Sequence, residues 1–166
     1  MLRGQSAIEY LTTHGWAILI LLVVIASLFW LGVVNPKSVL HSSCLLPADM
    51  SCRAYILNTT GHVAVDIGQA TGHPINVTKF RCTQERDPVP DTISTPVYIS
   101  NGDHAFITDG TQQCYTLAGA NATGTTGSQY KGKIYIAYTE LDTGFEHTVV
   151  GDVSLKYEDV AVPTGD

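Results

Sequence analysis

Charge is scarce in this sequence. Asp, Glu, Lys and Arg make up 14% of its 166 residues, where about a quarter is usual, and Thr, Gly and Ser are plentiful instead. The formal charge is −6, nearly all of the excess acid lies beyond Pro36, and the few basic residues are spread out. Nucleic acid needs a concentrated basic surface, so it is excluded as a partner. The signatures of catalysis are missing too. Six histidines are scattered with none at metal-ligand spacing, so neither a metal site nor a cofactor is expected. No Ser sits in a nucleophile-elbow sequence. No Gly-rich stretch forms a phosphate loop between a strand and a helix. Nothing in the chain points to an enzyme.

Four cysteines are present, Cys44, Cys52, Cys82 and Cys114, and none stands in C-x-x-C spacing. An even number placed after an apolar run suggests disulfides formed in an oxidising place. Three pairings are possible. Cys44 with Cys52 and Cys82 with Cys114 is preferred, because it closes two short loops instead of crossing the domain. Asn58-Thr-Thr, Asn76-Val-Thr and Asn121-Ala-Thr are N-glycosylation sequons. Asn58 and Asn121 fall in apparent turns and Asn76 in an apparent strand. Cysteines and sequons agree on an outside location.

One long apolar run stands out. From Trp16 to Val34 there is no charge over 19 residues. At about 1.5 Å per residue, such a helix approaches the roughly 30 Å of a bilayer's hydrocarbon core. A cleaved secretory signal has an apolar region of about 7–15 residues and a small-residue cut site; "LFWLGVVNP" offers no such site. Upstream, Ala7, Ile8, Leu11 and Trp16 share a stripe with Ile18, Leu19 and Leu22, so the predicted helix is Gln5 to Val34. Asn35-Pro36 ends it, since proline disfavours helical geometry in the residue before it. Gly15 costs about 1 kcal/mol against alanine in a helix. Close approach of a second helix, or a bend, would account for it.

The stretch "RGQSAIEYL…GWAILILLVVIASLFWLG" resembles the class III signal sequence of archaeal type IV pilins. These begin with a short basic leader ending in Gly, followed by Gln-Ser/Ala-Ala-x-Glu-Tyr-Leu and an apolar helix. His14 stands where that family usually has Tyr. The resemblance implies that a prepilin peptidase cuts between Gly4 and Gln5 and that the helix is kept as the core of a filament. It makes Glu9 the fifth residue of the mature chain, with the amine of Gln5 on a neighbouring subunit as its partner. Assembly residues on this reading are Glu9, Gly15 and Trp16. A weaker likeness to the closing hairpin of these pilins' head domains lies in "KGKIYIAYTELDTGFEHTVVGDVSLKY".

Beyond Pro36 the period becomes two. Val63, Val65 and Ile67 alternate with His62, Ala64 and Asp66, and Ile134, Ile136 and Tyr138 alternate with Lys133, Tyr135 and Ala137. Half-buried strands read this way. Strands are expected at 52–58, 62–70, 74–82, 96–100, 104–108, 113–118, 131–140 and 147–158, joined by turns such as "NTTG", "ATGHP", "SNGD" and "LDTG". "RDPVPDTISTP" and "GANATGTTGS" read as exposed loops. The expected fold class is α+β: a long N-terminal apolar helix, then an antiparallel, immunoglobulin-like β-sandwich. The expected domains are a leader at 1–4, a transmembrane and filament-core helix at 5–36, and an extracellular head at 37–166. Tyr98, Tyr115, Tyr135, Tyr138 and Tyr157 are spaced as core or subunit-contact residues.

Together these point to a structural subunit of an extracellular adhesion filament, a homopolymer at the cell surface whose subunits sit in the cytoplasmic membrane before assembly. An apolar helix is unstable in water and must be buried in lipid or among copies of itself. The rival is a single-span surface protein displaying its β-domain as a binding module. A minor pilin lies between the two.

Overall fold

Alternation of apolar and polar residues dominates the chain after residue 41, and in a computed structural model those stretches are strands. The structure describes residues 5–31, 41–108 and 110–162, with side chains from residue 14 onward. Two units emerge, Met1–Val39 and Leu40–Asp166.

The first unit carries one helix, α1 (Gln5–Trp30). It contains no proline, and its leucines and alanines are strong helix formers that offset the χ1 restriction of the β-branched Ile and Val among them. Within it the Ser27 hydroxyl donates to the Val24 carbonyl at 2.7 Å. The Leu31 amide closes the last turn on the Ser27 carbonyl at 2.9 Å. Residues 32–40, including Asn35-Pro36, lie outside the described residues, as do residues 1–4.

The second unit is a nine-stranded sheet. Its strands are β1 (Ser43–Leu45), β2 (Met50–Asn58), β3 (Val63–Gln69), β4 (Ile75–Thr83), β5 (Asp91–Ile99), β6 (His104–Ile107), β7 (Cys114–Tyr115), β8 (Gln129–Glu140) and β9 (Glu146–Glu158). The order is β5-β4-β8-β9-β2-β3-β6, with β1 paired to β9 and β7 paired to β4. The longest ladder is the antiparallel hairpin β8–β9, from Gln129↔Lys156 to Thr139↔Glu146. At its far end β9 also pairs with β2 in parallel, Leu57↔Tyr157 and Asn58↔Glu158. Strands β5 and β6, at opposite ends of the order, lie against each other, so the sheet nearly closes on itself.

The core lies inside this curl. Val153, Leu155 and Tyr157 of β9, Ile134 and Ile136 of β8, Ile75, Val77 and Phe80 of β4, and Val65 and Ile67 of β3 are all buried in it. A bulge between Val77 and Lys79 shifts the β4 alternation so that Phe80 and Cys82 point inward again. Strand β3 departs from the half-buried expectation, because every residue from Val63 to Gln69 is buried. Asp66 is compensated by His104, whose Nδ1 lies 3.0 Å from its carboxylate. Gln69 donates to the carbonyls of His73 and Ile99 and accepts from Thr71.

The expected α+β architecture is overturned. Among the residues whose side chains are described 51% are strand and 12% helical, so the chain is mostly β. The described side chains of α1 cover 17 residues, and among the described residues no helix is long and apolar enough to cross a membrane. The immunoglobulin-like sandwich is replaced by a single, nearly closed, barrel-like sheet. The physical reason lies in β9. At 13 residues it is long enough to hydrogen-bond β8 along most of its length and β2 at its end, which joins the two halves edge to edge. In a sandwich they would face each other as separate layers.

Two expected loops are also revised. Thr92 and Asp91 of "RDPVPDTISTP" pair with Lys79 and Phe80, so β5 begins at Asp91. In "GANATGTTGS" Ala122 is buried and its amide donates to the Cys114 carbonyl at 2.8 Å. Nearby, Gly61 adopts φ 93°, and a Cβ there would stand 2.9 Å from the Ala122 carbonyl oxygen, so glycine meets both demands of that crossing.

Candidate functional site

The most unusual surface belongs to α1. No charged residue occurs from Trp16 to Trp30. Successive helical residues turn by about 100°, so four in a row sample every side of the cylinder. Ile18, Leu19, Ile20 and Leu21 are 55%, 62%, 50% and 58% exposed. The helix is therefore apolar all round and uncovered all round, which water does not tolerate. Trp16 and Trp30 at the two ends of the stretch are exposed as well. The helix runs through Gly15 without interruption, and among the described residues nothing beyond its chain neighbours and the helix's own backbone lies within 4 Å of where a Cβ would stand. Gln5 and Glu9 are helical, but their side chains lie outside the described residues, and so does Gly4 altogether.

The β unit carries two disulfides, Cys44–Cys52 and Cys82–Cys114. The first ties β1 to β2, with Cα atoms 5.9 Å apart. The second crosses the parallel pair β4–β7, in register, at a Cα separation of 4.4 Å. Cys82 and Cys114 are fully buried, whereas Cys44 and Cys52 are half-buried. No free cysteine occurs among the described residues.

The three sequon asparagines have different surroundings. Asn121 is exposed. Asn58, at the end of β2, is half-buried, and its side-chain oxygen accepts from the Thr60 amide, the Thr60 hydroxyl and the His62 amide. Asn76 is half-buried within β4, opposite Tyr98 on one side and Thr139 on the other. Of the tyrosines, Tyr135, Tyr138 and Tyr157 are buried, Tyr115 is half-buried beneath the Arg81 guanidinium, and Tyr98 is exposed. Burial pushes the Tyr130 and Tyr157 phenols up from their ordinary pKa.

One group of potential ligands escaped the sequence reading. His73, Glu140 and Asp142 place one ligand atom apiece within 4.8 Å of one another. Hydrogen bonding between His73 and Asp142 raises the imidazole pKa and lowers that of the carboxyl. His73 and Asp142 stand in the turns "ATGHP" and "LDTG", 69 positions apart, and Glu140 is the last residue of β8. Only the antiparallel pairing of β4 with β8, which sets Ile75 opposite Glu140, brings the turns together.

No protein family, curated protein or solved structure matches this chain.

Proposed function

We propose that this chain is the structural subunit of an extracellular filament of the archaeal type IV pilus kind, a homopolymer held together through α1. The observation that carries the reading is the all-round exposure of apolar side chains on α1. A helix apolar on one face suits the flank of a domain, whereas one apolar on every side needs neighbours on every side. Copies of itself supply them in a helical bundle, and contacts that do not close into a ring propagate as a fibre. Each Leu-sized side chain fully withdrawn from water contributes about 1.5–3 kcal/mol. A dozen half-exposed ones supply on the order of 10 kcal/mol per subunit.

Other features support the same reading. The disulfides suit an oxidising, extracellular place. The opening "RGQSAIEYL" supplies a peptidase site between Gly4 and Gln5, and Glu9 is then available to pair with a neighbour's Gln5 amine. On this reading the role of the β unit is to form the filament's outer surface, and the exposed Asn121 is the most accessible of the sequons.

Leu19→Glu places one charge on α1 and leaves the β unit untouched. Sheared surface material from cells is examined by negative-stain microscopy, and the filaments are identified by mass spectrometry. Wild-type chain in uniform filaments, and their loss in the variant, are expected. Wild-type chain found only as dispersed monomer favours the non-polymerising display module. Undiminished filaments from Leu19→Glu overturn assembly through α1.

A further inference from the structure

We propose that the end of the β unit formed by the β3–β4 turn and the β8–β9 hairpin is a binding site for a divalent transition cation of the Zn2+ type, with His73, Glu140, Asp142 and His147 as its ligands.

The donor set decides the class of cation. His73 Nδ1 lies 2.6 Å from Asp142 Oδ2, and His147 Nε2 lies 3.2 Å from Glu140 Oε1. His73, Glu140 and Asp142 place their ligand atoms within 4.8 Å of one another, and His147 brings a second imidazole to the edge of that group through Glu140. Imidazoles beside carboxylates suit zinc and its neighbours, whereas calcium and magnesium favour oxygen ligands alone. Ligands of a tetrahedral centre with bonds of about 2.0–2.1 Å stand about 3.3 Å apart. The two paired separations fall at or below that value and the His73, Glu140 and Asp142 atoms stay within 4.8 Å of one another, so small side-chain rotations at this exposed end would bring them to a metal's coordination distances.

The surroundings hold the ligands in place from outside the cluster. Buried Gln69 donates to the His73 carbonyl at 3.0 Å, and the Leu141 amide donates to the Pro74 carbonyl at 2.9 Å, clamping one turn to the other. His147 stacks on Tyr138 with ring centroids 5.4 Å apart, which fixes the plane of its imidazole. The Thr143 hydroxyl donates to the second oxygen of Glu140. Outer contacts of this kind orient ligands in metal sites. The Glu140 side chain is 13% exposed and those of His73, Asp142 and His147 are 39%, 48% and 45% exposed, so a cation can enter from solvent and water can complete its shell.

The full chain in mild detergent is titrated with Zn2+ by calorimetry, and with Co2+ as a spectroscopic probe. One equivalent is expected to bind with micromolar affinity, with the visible bands of a low-coordinate Co2+ centre and no competition from excess Ca2+. His73→Ala and His147→Ala are expected to weaken binding at least 10-fold each. His104→Ala, in the separate pair with Asp66, is expected to change it less than 2-fold. Near-UV circular dichroism checks that each variant is folded. Unchanged Zn2+ affinity in folded His73→Ala and His147→Ala, or no binding below millimolar concentration, overturns the site. Filament formation is a separate readout, so failure here leaves the assembly reading standing.

Discussion

Removing the disulfides one at a time separates two mechanical roles within the β unit. In the chain-entropy picture, a crosslink over n residues restricts the unfolded chain by about 2.1 + 1.5R ln n in cal/mol/K. The Cys82–Cys114 crosslink spans a separation of 32, which gives about 3.7 kcal/mol at 25 °C. Cys44–Cys52 spans 8, which gives about 2.5 kcal/mol. Packing widens the gap. Cys82 and Cys114 are wholly inside the core, so paired alanines there also leave a small void that adds roughly 1 kcal/mol. The half-buried pair at Cys44 and Cys52 leaves little. Urea unfolding of the full chain in mild detergent, followed by far-UV circular dichroism, reads both. With a slope of about 2 kcal/mol per M, Cys82→Ala with Cys114→Ala lowers the midpoint by about 2 M, and Cys44→Ala with Cys52→Ala by about 1 M. Strand β1 pairs with β9 over three residues only, so loss of its crosslink also speeds amide exchange at Ser43–Leu45. Equal midpoints, or the reverse order, would refute this reasoning, because both the loop length and the burial point the same way.

Three further outcomes are expected. A Cβ at Gly124 would stand 2.4 Å from the nearest atom of the Tyr157 ring, so Gly124→Ala costs about 2 kcal/mol and lowers Tm by roughly 8 °C; an unchanged Tm means the ring moves aside freely. The Tyr130 and Tyr157 hydroxyls donate to the Tyr115 and Ala122 carbonyls, each at 2.8 Å, and burial raises both pKa values above the unfolded value of about 10. Their contribution is then whole below pH 10 and lost as pH rises through the folded pKa values; Tyr130→Phe should flatten the fall in urea midpoint above pH 10, and an identical slope in the variant removes Tyr130 from it. Glu9→Ala is expected to cut filament yield without altering the Tm of the β unit, and N-terminal sequencing of wild-type filaments to begin at Gln5; normal yield, or a start at Met1, contradicts these two points respectively.

The period-two stretches revealed most strands because side-chain alternation reports directly on which face is buried. Val153, Leu155 and Tyr157 could be assigned inward from their spacing alone. What that spacing does not encode is the partner. Tyr157 reads the same whether its strand pairs with β2 or faces it across a core, and that one parallel bridge separates a barrel from a sandwich. Strand β1 was missed because three residues, Ser43–Leu45, carry no period, and β5 was started late because Pro88 and Pro90 disguise the approach to Asp91. The ligand cluster was hidden for the same reason as the barrel. His73 and Asp142 become neighbours only through the β4–β8 register. The helix, in contrast, depends on local composition, and its apolar character was legible residue by residue.

The position of Cys44–Cys52 governs how the β unit bears tension. The chain leaving α1 enters the β unit ahead of β1, so a pull on α1 arrives first at Ser43 and Cys44. Without a crosslink, the load would peel β1 from β9 one backbone bond at a time, and the slack in residues 45–51 would then pay out. The disulfide short-circuits that slack and hands the load to Cys52 in β2. Strand β2 is held along its length by β3, from Met50↔Gln69 to Leu57↔Val63, so a whole ladder and not three residues takes up the load. A tether built this way stays nearly inextensible until the β2–β3 ladder itself yields.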